Sequence, residues 1–395
     1  MSGKRLRPRI LFINHWARSL GGAEYSLIDI LKAASVKARV GLVTSEQGAL
    51  VDSLKTNSVH HLVVPCASGI LSVKRDRLAI GLLRRWWSVV GFFRYVIGVA
   101  AVVHRLQPDC IHANVPKSHM TLFCLLLMGY RGAAVVHMRE LFPRGSLAYN
   151  LYRIFSRLRQ IRVIAISQAV RDRLPPELKR KATVVYNGVY IPEFCEKKEI
   201  VGPIRFLYLG RIVPWKGCHR LIEVFGNLRK KLPPDAATLR LVGATSYWEC
   251  TYRTDLEALI KQSSLEELVV MEDKTDNPYD VLKHHHVLCL PSDDEPFGRV
   301  AVEAQGCGLP VIGFSGGGLT EIIINGETGR LIPRGDMEGF AAAMANFVHH
   351  PGLISEQGKN GYHRAEMLFN REIQVPAILS YLFRQISPEP QSTLL

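Results

Sequence analysis

The chain has 395 residues, 47% of them hydrophobic and 22% charged, which excludes a disordered chain and leaves room for two domains of ordinary size. Its formal charge of +15 is uneven: residues 1–200 carry 31 Lys and Arg against 12 Asp and Glu, a net of +19, and the remainder nets −4. That half calls for an anionic partner, such as a membrane surface, a polyphosphate-linked acceptor or nucleic acid. The 8 scattered cysteines, with no C-x-x-C pair, exclude a disulfide framework and read as reduced, buried thiols.

The basic start (Lys4, Arg5, Arg7, Arg9) leads into an apolar run at 10–14 that is too short for a signal-peptide core. Strand-like runs follow at 9–14, 38–44, 61–64, 109–112, 133–137, 163–167 and 183–187, with helical stretches between them, notably 23–35 and 120–128. This alternation predicts a doubly wound parallel sheet. The stretch 78–106 is unusually apolar, yet Arg94 interrupts it and Gly81, Gly91 and Gly98 lower its helix propensity. It reads either as buried helix or as an amphipathic element docking on a membrane. In the second case Trp86, Trp87, Phe92, Phe93 and Tyr95 sit at the interface, and Lys74, Arg75, Arg77, Arg84 and Arg85 reach head groups. A central Arg disfavours a true span.

The polar stretch 195–202 reads as a linker, and a second series of strands follows at 204–210, 239–243, 269–271, 287–291, 309–313 and 329–333. The expected organisation is a first domain over 1–195, a second over 196–370 and a final helix over 371–386, with a disordered tail at 387–395.

Four places carry chemistry. After the strand at 204–210 come Arg211 and Lys216, two cations beside a glycine, a design suited to phosphate. After the strand at 287–291 come Glu295 and Glu303, eight positions apart. Eight residues make about 2.2 helical turns, so both carboxylates can address one ligand. Phe297 and Gly298 between them open a helix whose free N–H groups favour an anion. Gly21 and Gly22 follow the first strand and open the helix bearing Glu24, which fits an anion site or simply a tight turn. His112 and His137 end two strands, with Arg139 and Glu140 close behind; either histidine also fits a satisfied structural role. The G-x-G-x-x-G dinucleotide fingerprint and a D-x-D metal motif are absent. His284, His285 and His286 are consecutive and do not suit one metal ion.

The string Ser-Asp-Asp-Glu-Pro-Phe-Gly through Val-Glu-Ala to Gly-Leu-Pro-Val-Ile (292–312) resembles the signature of the GT4 family, the retaining members of the glycosyl transferases group 1. The resemblance implies the α/β GT-B fold, two Rossmann-like doubly wound domains facing a cleft, with the last helix crossing back to the first domain. It implies that Arg211 and Lys216 hold the donor diphosphate, Glu295 the sugar hydroxyls and Glu303 the ribose. His137 would lie under the donor sugar. Gly21, Gly22, Phe297, Gly298, Gly317 and Glu321 would complete the donor site, and Glu24, His112, Arg139 and Glu140 would line the acceptor side. Two departures stand out: Tyr190 replaces the acid of an Asn-Gly-Val-Asp hinge motif, and Val242-Gly243-Ala244 lacks a second glycine.

The expected reaction moves a sugar from a UDP-, GDP- or dTDP-linked donor to a saccharide or lipid-linked acceptor with retention. It needs no metal or other cofactor and no nucleic acid, and it takes place on the cytoplasmic face of an anionic membrane. The alternatives are a GT-B epimerase or phosphorylase, and a non-catalytic glycan-binding module.

Overall fold

The structure is a computed structural model describing residues 7–66, 82–194, 200–245 and 250–386, with side chains from 89 and 251 in the helices that begin at Leu82 and Cys250. The expectations for Lys74, Arg75 and Arg77, for the side chains of Arg84, Arg85, Trp86 and Trp87, for most of the linker and for the tail fall outside these residues. Two compact units divide the chain. The second comprises Ser167–Ala169 and Tyr186–Ile373, and the first takes the described residues up to Ile166, Val170–Val185 and those from Gln374 on.

The first unit is built on seven parallel strands: β1 (Arg9–Ile13), β2 (Arg39–Thr44), β3 (Val59–Val63), β4 (Cys110–Ala113), β5 (Ala133–Met138), β6 (Ile161–Ala165) and β7 (Ala182–Val184). Their order is β3-β2-β1-β4-β5-β6-β7. Ile10 to Ile13 are all buried, as a parallel sheet covered on both faces requires. Leu27, Ile30 and Leu31 of the helix Gly22–Lys37 pack on this sheet, as do Ile378, Leu379 and Leu382 of the final helix Arg371–Ile386.

The helix Leu82–Leu106 buries Tyr95, Val96 and Val99 and exposes Val89, Phe93 and Ile97 four residues apart on another face. Its portion Val89–Leu106 has the length and composition to cross a membrane, with 17% of it buried. Neither sequence reading describes it fully, since one face is core and the other an exposed apolar stripe.

The second unit has six parallel strands: β8 (Ile204–Leu209), β9 (Ala237–Val242), β10 (Val269–Glu272), β11 (Val287–Leu290), β12 (Val311–Phe314) and β13 (Gly329–Ile332), ordered β10-β9-β8-β11-β12-β13. Both sheets therefore reverse direction once, between β1 and β4 and between β8 and β11. The crevice outside the carboxyl ends of strands at such a reversal is where doubly wound sheets bind ligands.

The chain changes unit after Val185, ten residues ahead of the expected boundary at 195. Tyr186 packs its ring on Phe369 and Phe297, and Val189 exchanges backbone hydrogen bonds with Phe369 and Arg371 at 2.9 and 2.8 Å. These contacts tie the 186–194 segment to the second unit before the polar stretch begins. Six cysteines are described and none is in a disulfide; Cys110, Cys218, Cys289 and Cys307 are buried, whereas Cys66 and Cys124 are only half-buried.

Candidate active site

In the second unit the loops after β8 and β11 bring the expected phosphate and sugar groups together. Lys216 Nζ donates to Glu295 Oε1, which also accepts from Ser292 Oγ at 2.7 Å. The ammonium lies 4.5 Å from the Trp215 ring centre, and the Arg211 guanidinium lies 5.7 Å from the same ring. Both cations therefore lie within cation–π range of one indole ring. Lys216 and Glu295 side chains are only 16% and 8% exposed, so this pair is shielded from solvent. The loop is fixed by Tyr208, whose hydroxyl donates to the Arg211 carbonyl at 2.6 Å.

Glycines let these loops approach each other. Gly217 has φ +78 and caps the helix Cys218–Arg229, and a Cβ there would stand 2.4 Å from the Pro291 carbonyl oxygen. Gly298 has φ +103 and caps the helix Arg299–Gly306. The first N–H groups of both helices have no carbonyl partner within the helix and carry its positive dipole end. Gly317 has φ +56 and bridges Glu295, while Gly318 N donates to the Glu295 carbonyl at 2.7 Å.

The other expected donor groups have defined partners. Glu303 is buried and accepts from Arg299 Nε at 2.8 Å. Burial pushes its carboxyl above the usual range while Arg299 opposes the shift. The Phe297 ring is buried between Tyr186 and Phe369, which leaves backbone N–H as the part of this residue suited to a ligand. Glu321 accepts from the backbone N–H of Gln168 and Ala169 at 2.7 and 2.8 Å, so both its carboxylate oxygens hold chain rather than stand open.

In the first unit Gly21 and Gly22 begin the first helix, and Glu24 Oε2 accepts from Gly21 N at 3.1 Å, a capping arrangement that accounts for this acid locally. His112 and His137 are fully buried, with Nε2 of the first 3.1 Å from Nδ1 of the second. Arg139 lies over them, its Nε donating to Asn114 Oδ1 at 2.9 Å and Nη2 to Ser26 Oγ at 3.2 Å. Glu140 is half-buried. Burial foremost, then the Arg139 charge, pushes the His112 imidazole down to about 3 and His137 well below its usual value. Both rings are neutral near pH 7 and act as hydrogen-bonding groups.

Sequence reasoning missed several partners. Arg220 holds Asp293 through two bonds of 2.5 and 3.2 Å, and Arg334 approaches Asp293 and Asp294 at 3.5 and 3.6 Å. Ser292 and Arg299 went unnoticed too. For Arg299 the signal was spacing, since it precedes Glu303 by four on one helix, a single turn; Arg220 had no local signal, because Asp293 lies 73 positions away. Among the described residues no group of three His, Cys, Asp or Glu is placed to hold a metal. His284 and His285 bond carbonyls of their own helix, and His286 Nδ1 accepts from Arg205 N.

Two parallel doubly wound sheets, with paired cation and carboxylate at the reversal of the second, define a GT-B-type protein. Residues 20–191 match Glycosyltransferase Family 4 and residues 191–364 match Glycosyl transferases group 1, so the chain belongs to these glycosyltransferases. It is 30% identical to a glycogen synthase of Mycobacterium tuberculosis, over 65% of this chain and 64% of that one. It is 29% identical to the capsular polysaccharide biosynthesis glycosyltransferase CapM of Staphylococcus aureus, over 74% and 80%. Among the first of its curated relatives the chain spans 53% to 64% of their length. The Anabaena HepE structure in complex with UDP-glucose superimposes with a TM-score of 0.77 at 24% identity, covering 95% of this chain and 100% of that one, and shares the fold.

Proposed function

We propose that this chain transfers a sugar from a nucleoside-diphosphate donor to an acceptor hydroxyl with retention of configuration. The observation that carries the reading is the shielded Lys216–Glu295 contact at the β8/β11 reversal. It joins a phosphate-binding cation to a hydroxyl-binding carboxylate at the point where such sheets take nucleotides. The UDP-glucose bound by HepE and the saccharide products named for the relatives support a nucleotide sugar as donor.

In this mechanism the bond between the anomeric carbon and the diphosphate oxygen breaks, and its electron pair stays on the diphosphate. Arg211, Lys216 and the N–H groups at Gly217 and Gly298 meet the growing negative charge, stabilisation of the oxyanion-hole kind. No metal is required for that step. The acceptor oxygen bonds to the same face of the sugar, and its proton passes to the departing phosphate. Glu295 orients the sugar hydroxyls and Glu303 the ribose. The family resemblance assigns His137, Gly21 and Gly22 to the donor and Glu24, His112, Arg139 and Glu140 to the acceptor side.

The acceptor is a saccharide or lipid-linked saccharide, and the enzyme works at the cytoplasmic surface of an anionic membrane. The +19 net charge of residues 1–200 and the exposed stripe Val89, Phe93 and Ile97 support this placement.

Lys216→Ala and Glu295→Ala are each expected to lower sugar transfer at least a hundredfold while circular dichroism stays unchanged. Near wild-type turnover in either variant would falsify the site. A thermal-shift series with UDP-, GDP- and dTDP-sugars identifies the base, since a donor at 100 times its Kd adds about 2.7 kcal/mol. Proton NMR of the product reads the anomeric configuration directly.

A further inference from the structure

The first unit gathers uncompensated charge at the edge where its strands begin. Arg131 precedes β5, Arg159 and Arg162 flank the start of β6, and Arg180 and Lys181 precede β7. At β6 and β7 these cations close around an open pocket of about 580 Å³, lined by Arg159, Arg162, Arg180, Lys181, Thr183 and Tyr381 among others. None of its lining residues is acidic. The nearest counter-charge, Glu177, lies 4.0 Å from Arg180 with both side chains well exposed, a pair of little consequence.

Two of the cations are fixed in place. Lys181 Nζ donates to the carbonyls of Ser156 and Leu158 at 2.7 and 2.8 Å, and Arg162 Nη1 donates to those of Arg159 and Ile161 at 2.7 and 3.0 Å. Carbonyl dipoles orient these groups without cancelling their charge. The Lys181 amine is held below its usual range by burial foremost and then by the neighbouring Arg162. The Tyr381 hydroxyl sits at the same wall, 3.3 Å from the Val163 carbonyl oxygen.

We propose that this pocket binds a phosphate-bearing ligand of two or more negative charges, either a soluble di- or polyphosphate or a phosphate carried on a lipid head group. Three guanidinium groups and an ammonium match phosphate oxygens in geometry and charge. The pocket is open to solvent, so a charged ligand can enter without being enclosed. The pocket lies at the amino ends of β6 and β7, opposite the carboxyl ends that carry His112 and His137. Its occupant is therefore an effector or an anchor, separate from any ligand bound at that carboxyl edge.

Calorimetric titration of the full chain with pyrophosphate at low salt tests this, with Lys216→Ala as background to silence the proposed donor contact. Binding is expected to persist in Lys216→Ala and to weaken at least tenfold when Arg159→Glu and Arg180→Glu are added. Lys230→Glu with Lys231→Glu, two exposed cations of the second unit, serves as the charge-matched control and is expected to change nothing. A parallel arm measures cosedimentation with phosphatidylglycerol vesicles against phosphatidylcholine. A tenfold loss with pyrophosphate assigns a free phosphate, and a loss on the anionic vesicles alone assigns a head group. No binding in either arm, or binding indifferent to the double substitution, overturns the proposal, and neither outcome depends on glycosyl transfer.

Discussion

Arg299 and Glu303 show how a single pair sets the character of the donor site. Their side chains are 16% and 10% exposed; burial pushes the Glu303 carboxyl up, and Arg299 opposes that rise by favouring the charged form. Removing the cation strands the acid: Arg299→Ala is expected to destabilise the protein by about 3 kcal/mol, read from the urea midpoint. Glu303→Gln keeps the shape and removes both the charge and its desolvation cost, so it should cost less than a third of that while raising the KM for the nucleotide sugar. Equal losses from the two substitutions would argue that packing, not charge, governs the position. Gly317 poses the same kind of test for backbone. At φ +56 a side chain is strained, and a Cβ would stand 2.0 Å from the Glu295 carbonyl oxygen. Gly317→Ala should therefore displace the loop bearing Glu295 and cost about 2 kcal/mol or more in stability, with transfer falling in step. Unchanged transfer would mean that the loop does not position Glu295.

At the scale of elements, the strands were legible in the sequence and the partners of the acids were not. All thirteen strands fall within a few residues of their apolar runs, because a parallel sheet buried on both faces needs unbroken Val, Ile and Leu. The loops after β8, β11 and β12 were legible for a related reason: Gly217, Gly298 and Gly317 mark left-handed backbone. Glu321 was not. Its glycine-loop context suggested a ligand, but its carboxylate holds the N–H groups of Gln168 and Ala169, more than a hundred and fifty positions earlier in the chain. No local pattern predicts a contact at that separation. Two charge-assisted bonds of this kind are worth about 2 kcal/mol or more together, so Glu321→Ala should lower the melting temperature by several degrees. Glu321→Gln, which retains one acceptor, should restore part of it. If Glu321→Ala melts like the wild type and only donor affinity falls, the acid serves the ligand after all. The helix Leu82–Leu106 offers a further element-scale test. Phe93→Glu with Ile97→Glu alters only the exposed stripe, so vesicle binding should drop at least fivefold with the fold unchanged; retained binding would remove this helix from the membrane face.

Across the whole molecule the first unit carries a liability, a set of four histidines built into its interior. His15, His112, His119 and His137 are all buried; His15 meets Thr121, His119 meets Tyr152, and His112 meets His137, which also meets Arg139. Burial, with help from Lys117 or Arg139, holds His15, His112 and His119 down to about 3 and His137 well below its usual value. In the unfolded chain each returns to about 6.5. Below that pH the unfolded state binds more protons than the folded one, so stability is complete above about pH 6.5 and drains away as the pH falls toward 3. Each such histidine removes about 1.4 kcal/mol per pH unit once well below 6.5. The three with resolved values together therefore remove about 4 kcal/mol by pH 5.5, a large share of the stability of an ordinary domain. Thermal melts followed by hydrogen exchange of each unit should show the first unit failing well before the second as the pH drops from 7.5 to 5.5. Replacing one member should flatten the response: His112→Asn loses some stability at pH 7.5 but should show a pH slope shallower by about 1.4 kcal/mol per unit. Melts of the wild type that do not change between pH 7.5 and 5.5 would show that these imidazoles are reached by protons in the folded state. They would then be open groups of a working site rather than the sealed frame beneath one.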